Sequence, residues 1–188
     1  MLYSSIEFIY LFLFSLICYM VSTNYIYRMS ILLFASGFFY FYSGFFDSVI
    51  FGICLIVMYF GTFCNESRVP QRARSLLFYF TSLLLAANLF YGKYSYWFAT
   101  EVLNHFDFNP EGIEKKVLPI GISFYTLQGI GYLIDVKNKN AKREPFLISI
   151  LFISFFGQLI AGPIVRYNEL VPQLKTLNVR VNYEHLKK

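Results

Sequence analysis

Long apolar runs separated by short polar connections fill the 188-residue chain. The runs cover residues 6–22, 29–43, 46–64, 76–91, 117–136 and 146–165. A helix needs about twenty apolar residues to cross the hydrocarbon core of a bilayer. The first five runs therefore predict crossings, the second slightly short. The sixth has the length but contains Gly157, Gly162 and Pro163; proline removes a backbone donor, and a broken backbone at membrane depth must be buried or wet. The pattern predicts an all-α polytopic transmembrane helix bundle: about five crossings plus one kinked or re-entrant helix, with residues 1–188 as a single membrane domain. No Lys or Arg precedes the first run, so it reads as a retained helix rather than a secretory signal. The motif SGFF recurs at 36–39 and 43–46, one heptad apart; this is local aromatic bias, not a domain-scale repeat.

Composition agrees with the pattern. The chain is 57% hydrophobic and 14% charged, too little charge to coat a soluble domain of this length. The net charge of +5 and the 21% aromatic content suggest nucleic acid at first. However, the aromatics lie inside the apolar runs and the cations in the connections, which is the pattern of interfacial belts and topology signals. No nucleic-acid partner is expected; the bilayer is.

The connections orient the chain. Residues 65–75 carry Arg68, Arg72 and Arg74, and residues 137–145 carry Lys137, Lys139, Lys142 and Arg143. If every run crosses, these loops share a side. They are then cytoplasmic, the N-terminus and the connection 92–116 are extracytoplasmic, and the protein sits in the cytoplasmic (inner) membrane. Arg28 adds to the basic side, and Trp97 and Phe98 suggest a short helix lying on the interface. Beyond the sixth run come Lys175, Arg180, Lys187 and Lys188. That basic tail conflicts with a sixth full crossing and favours a segment that enters and returns.

Two stretches carry residues that lipid would penalise. In LPIGISFYTLQGIGYLIDV, Gly121, Tyr125, Gln128, Tyr132 and Asp135 follow steps of four and three, so on a helix they fall within roughly 40° of one direction. Such a stripe faces other helices or a water-filled cavity, the two being equally compatible with the pattern. Gly121 would let a neighbouring helix approach. In FFGQLIAGPIVRYNELVPQL, Gln158, Gly162 and Arg166 share a face if the helix survives Pro163. The cysteines, Cys18, Cys54 and Cys64, read as small buried hydrophobes, with Cys64 also a weak palmitoylation candidate. His105 and His185 read as surface residues. No metal-ligand set, phosphate loop or nucleophile elbow is present in the sequence, so no catalytic residue is assigned.

Those two stretches, separated by a basic loop, resemble the signature region of the membrane-bound O-acyltransferase family. The resemblance is to its bacterial branch of alginate O-acetylases, peptidoglycan O-acetyltransferases and the D-alanyl transfer protein of teichoic acid synthesis. Such sequences commonly have proline where Gly157 stands. Family members are more than twice this long, and their defining histidine lies in a later helix without a counterpart here. The resemblance therefore implies the N-terminal part of such an enzyme: a fragment, a truncated gene product or one piece of a split protein. It implies transfer of an acyl group, acetyl above all, from a cytoplasmic donor such as acetyl-CoA or an acyl carrier protein. The acceptor would be a hydroxyl of a cell-envelope polymer or a relay acyltransferase outside. Within this chain Tyr125, Gln128, Gln158 and Arg166 are the expected tunnel lining, and Gly157, Gly162 and Pro163 the expected bend. A non-enzymatic membrane scaffold or transport subunit is the alternative.

Overall fold

The computed structural model describes residues 6–66, 69–98, 101, 121–158 and 165–177. Among them every regular element is helical: α1 (Ile6–Val21), α2 (Tyr25–Ser43), α3 (Phe45–Gly61), α4 (Gln71–Trp97), α5 (Ile122–Lys137), α6 (Phe146–Ser154) and α7 (Tyr167–Lys175). A 3-10 turn, Thr62–Asn65, continues α3. With that turn, α3 spans 21 residues and α4 spans 27, and both are long and apolar enough to cross a membrane. The expectation of about five crossings is thus met by composition and length at two helices among the described residues, while α1 is a shorter apolar helix.

Local chemistry sets the boundaries. α2 starts four residues ahead of its apolar run because Asn24 caps it: Oδ1 accepts from the Ile26 and Tyr27 N–H groups at 2.9 and 3.2 Å, a cap typically worth about 1 kcal/mol. Gly44 alone joins α2 to α3, at φ 144° and ψ 142°, a conformation that side chains disfavour. The Ser48 hydroxyl lies 2.8 Å from the Tyr40 carbonyl and 2.7 Å from that of Gly44, bracing the joint. α4 follows the extended Pro70 and runs unbroken to Trp97. Trp97 and Phe98 therefore end a long helix and do not form the separate interfacial helix expected of them, because nothing between Leu76 and Trp97 stops the α4 hydrogen bonding. Gly121 sits before α5 in the left-handed region, φ 74°, so it shapes the approach to the helix and does not serve as an interhelical contact within it. Close approach is made by Gly61, where an added Cβ would meet Thr81 Oγ1 at 2.7 Å and Leu133 Cδ2 at 2.8 Å.

Successive helices α1 to α5 pack against one another, and α6 lies against α2, α3 and α5. The interior holds Phe39, Met58, Leu133 and Leu151, but also Ser36, Thr62, Thr126, Gln128 and Gln158. The outside is apolar: Phe46 is 81% exposed and Leu83 68%. Polar groups inside and hydrocarbon outside is the distribution of a membrane protein, since exposing that much apolar surface to water would be costly. Cys54 and Cys64 are buried in this core, which leaves Cys64 no surface on which to carry a palmitoyl chain.

Several contacts define one end of the bundle. Arg143 pairs with Glu66 at 3.1 Å and rests over the Phe63 ring at 3.6 Å, fastening the loop after α5 to the turn after α3. Lys175 of α7 pairs with Glu144 of the same loop at 2.7 Å. Arg28, read from the sequence as a charge in a connection, is 3% exposed. Its Nε donates to the Ser22 and Tyr19 carbonyls at 2.7 and 3.2 Å, satisfying the end of α1, and its Nη1 donates to the Leu177 carbonyl beyond α7. The α1–α2 turn, the turn after α3, the loop after α5 and α7 thus lie together. α6 departs from this end, and α7 is back at it.

Candidate functional site

α6 has only 9 residues, about 14 Å at 1.5 Å per residue, roughly half of a hydrocarbon core. It ends among other helices, so its last carbonyls need partners. The Phe152 carbonyl accepts from Gln128 Nε2 at 3.1 Å and from Gln158 Nε2 at 2.7 Å. Gln158 Nε2 also lies 3.2 Å from Gln128 Oε1, so the two amides clasp the helix end. The Phe156 N–H donates to Ser36 Oγ at 3.3 Å. Both glutamines are buried, and Gln158 Oε1 has no hydrogen-bond partner among the described residues. The break falls at Phe155, ψ 111°, ahead of the expected bend; Gly157 is exposed in the following turn. Gly162 and Pro163 lie outside the described residues, as do His105 and His185.

Beside the amide pair is a cavity of about 440 Å³. α5 contributes Gln128, Gly131, Tyr132 and Asp135, α6 contributes Phe152, and Arg166 and Tyr167 close it at the start of α7. It runs from a buried amide to an exposed guanidinium, at the end of the bundle that holds the basic loops. Gly131 leaves open space where a side chain would be, with nothing within 4 Å of an added Cβ.

Of the four residues expected to line a passage, Gln128 and Arg166 share this cavity and Gln158 is one hydrogen bond away. Tyr125 lies elsewhere. Its ring packs 4.8 Å from Phe51 and 6.5 Å from Tyr40, and Asn88 Nδ2 approaches its hydroxyl at 3.5 Å. The stripe on α5 does face inward, since Tyr125, Gln128 and Tyr132 are all buried. It divides because α3 and α4 cover one flank of α5 and α6 covers another.

The least foreseeable member of the site is Glu144, which the sequence shows only as one charge in KREPF. It is 5% exposed, receives hydrogen bonds from the Tyr167 hydroxyl and from Lys175 Nζ, and gives its N–H to the Tyr132 hydroxyl at 3.2 Å. The Tyr132 hydroxyl in turn donates to the Lys142 carbonyl at 3.1 Å, and the Tyr132 and Tyr167 rings stack at 5.7 Å. Burial first, then the Glu144 carboxylate, pushes the Tyr167 phenol above the usual tyrosine range, so it stays a protonated donor. The loop before α6 and the start of α7 are thereby closed on each other. Both phenol protons are already given away, so the cavity offers the Gln128 amide and the Arg166 guanidinium as donors, with the Asp135 carboxylate beside them, in a partly enclosed space that can hold a carbonyl or an anionic group near Arg166.

Comparison with known proteins adds chemistry to this geometry. No protein-family model matches the chain, and no solved structure matches it. Curated proteins do. A peptidoglycan O-acetyltransferase of Helicobacter pylori is 38% identical over 96 residues, which is 37% of this chain and 18% of that protein. A probable alginate O-acetylase, AlgI, of Pseudomonas aeruginosa is 40% identical over 74 residues, 39% of this chain and 14% of the relative. A second AlgI, of Pseudomonas syringae pv. tomato, is 43% identical over 58 residues, 30% of this chain and 11% of the relative. The chain spans less than a fifth of the length of these relatives. With two stretches that resemble that family's signature region and an all-helical architecture among its described residues, the chain is similar to these bacterial O-acetylases over less than two fifths of its own length.

Proposed function

We propose that this chain is part of a membrane-bound O-acyltransferase that moves an acetyl or related acyl group from a cytoplasmic thioester donor to a hydroxyl of a cell-envelope polysaccharide. The observation that carries the reading is the interrupted helix: α6 ends inside the bundle, its end is held by Gln128 and Gln158, and a donor-lined cavity opens beside it. Water exclusion there would limit hydrolysis of an activated acyl group. The Arg166 guanidinium suits an anionic donor, and the second N–H of the Gln128 amide suits an acyl carbonyl. The histidine base that the family resemblance implies has no counterpart among the described residues of the cavity, whose one carboxylate is that of Asp135.

In this reading α1 to α5 cross the bilayer, α6 enters it and stops, and the end that gathers Arg143, Lys175 and Arg28 faces the cytoplasm. The N-terminus and the Gly44 joint face outward. The decisive experiment takes the complete reading frame containing this chain, in membranes, with labelled acetyl-CoA and with peptidoglycan or alginate as acceptors. Label transferred to polymer hydroxyls, and reduced in Gln128→Leu, supports the proposal. Absence of transfer to either polymer, in membranes that hold the folded protein, would leave the scaffold or transport alternative in its place.

A further inference from the structure

A second cavity, of about 350 Å³, lies at the basic-loop end between the turn after α3 and the loop after α5. Asn65 is on one wall, and Lys139, Lys142 and Arg143 are on the other. Arg143 is engaged with Glu66 at 3.1 Å. Lys139 and Lys142 are exposed, and neither ammonium meets a carboxylate among the described residues. Lys139 also has φ 63°, unlike any other non-glycine residue described. Asparagine tolerates this left-handed backbone better than lysine, and Asn138 and Asn140 flank the position, yet the strained conformation falls on the cation. Hydrogen bonds hold it there: Lys139 N–H to the Val136 carbonyl at 3.1 Å, and Asn140 N–H to the Asp135 carbonyl at 2.9 Å. These two bonds form a left-handed helix C-terminal cap that ends α5 and sets Lys139 on the cavity wall.

The neighbouring surface is apolar. Phe146 packs 5.0 Å from Tyr59, and Arg143 donates to the Tyr59 hydroxyl. Phe60, Phe146 and Leu147 beside them are 56, 42 and 53% exposed. Unpaired ammonium groups above exposed hydrocarbon match an amphiphile with an anionic head.

We propose that this cavity binds the phosphate of an anionic phospholipid, with Lys139 and Lys142 on the phosphate and the acyl chains along Phe60, Phe146 and Leu147. The assignment requires only that this end lies at a membrane–water interface, and it stands or falls independently of acyl transfer. The test uses the complete protein in nanodiscs of phosphatidylcholine with increasing phosphatidylglycerol, counting retained lipids by native mass spectrometry. Phosphatidylglycerol should be retained in preference to phosphatidylcholine. Lys139→Gly and Lys142→Gln should each weaken that preference about fivefold, and together roughly 25-fold. Lys139→Gly should meanwhile leave Tm unchanged or raised, because glycine takes the backbone without strain. Unchanged retention in the double variant overturns the proposal, as does a lowered Tm for Lys139→Gly with retention intact. Displacement of the lipid by excess inorganic phosphate as readily as by phosphatidylglycerol would assign the cavity to a soluble anion and overturn it too.

Discussion

Gln128 and Gln158 share one task, because both serve the Phe152 carbonyl that α6 leaves without a helical partner. Gln128→Leu should destabilise the protein by about 1–3 kcal/mol, the cost of leaving buried polar groups with fewer partners. Thermal unfolding in detergent measures it. The double variant with Gln158→Leu should cost less than the sum of the singles, since each single leaves the other amide stranded. A fully additive result would mean that the two amides act separately. Gly131 tests the cavity without disturbing its walls. Because an added side chain meets open space, Gly131→Leu should leave Tm unchanged or slightly higher, alanine-like residues being better helix formers than glycine. It should nonetheless cut acyl transfer by the complete protein roughly tenfold or more through misplaced substrate. Full activity with a filled cavity would place the chemistry elsewhere.

Among the elements, α6 and α7 depend on each other most visibly. Glu144→Gln would remove the charge that Lys175 and Tyr167 meet. The expected cost is about 1.5–3 kcal/mol, the range for hydrogen bonds to charged groups, discounted for the half-exposed Lys175. Limited proteolysis should then cut first near α7, and unaltered protection would show that the clasp is dispensable. At the α3–α4–α5 crossing, Gly61→Val would push a side chain against Thr81 and Leu133 and should cost about 1–3 kcal/mol by overpacking. The five apolar runs were legible as helices because the length and hydrophobicity of a run are local properties. The inward stripe of α5 was legible for the same reason, by its spacing. The extension of α4 to Trp97 was not, since aromatic residues mark interfaces in either arrangement. Nor was the burial of Arg28: its partners include carbonyls at the end of α1 and the Leu177 carbonyl far along the chain, and no local pattern announces the latter.

The whole molecule makes a topological prediction. In a cysteine-free background, single cysteines at exposed Arg72, Asn140 and Gln173 should react with a membrane-impermeant maleimide from one side, the cytoplasmic one. A cysteine at exposed Phe46 should react from the other. Labelling of Gln173Cys from the side opposite Asn140Cys would contradict the return of residues 146–165 to their starting end. By itself the sequence determined that this is a helical protein for lipid, that its costly amides lie on two particular segments, and which family those segments resemble. Each of these follows from composition, period or motif within a short window. Only the tertiary structure decided that Gln128 and Arg166 meet at one cavity while Tyr125 does not, and that Glu144 closes α7 onto the loop before α6. Those facts turn on which flank of α5 each neighbour covers, and that is set by packing between residues far apart in the chain.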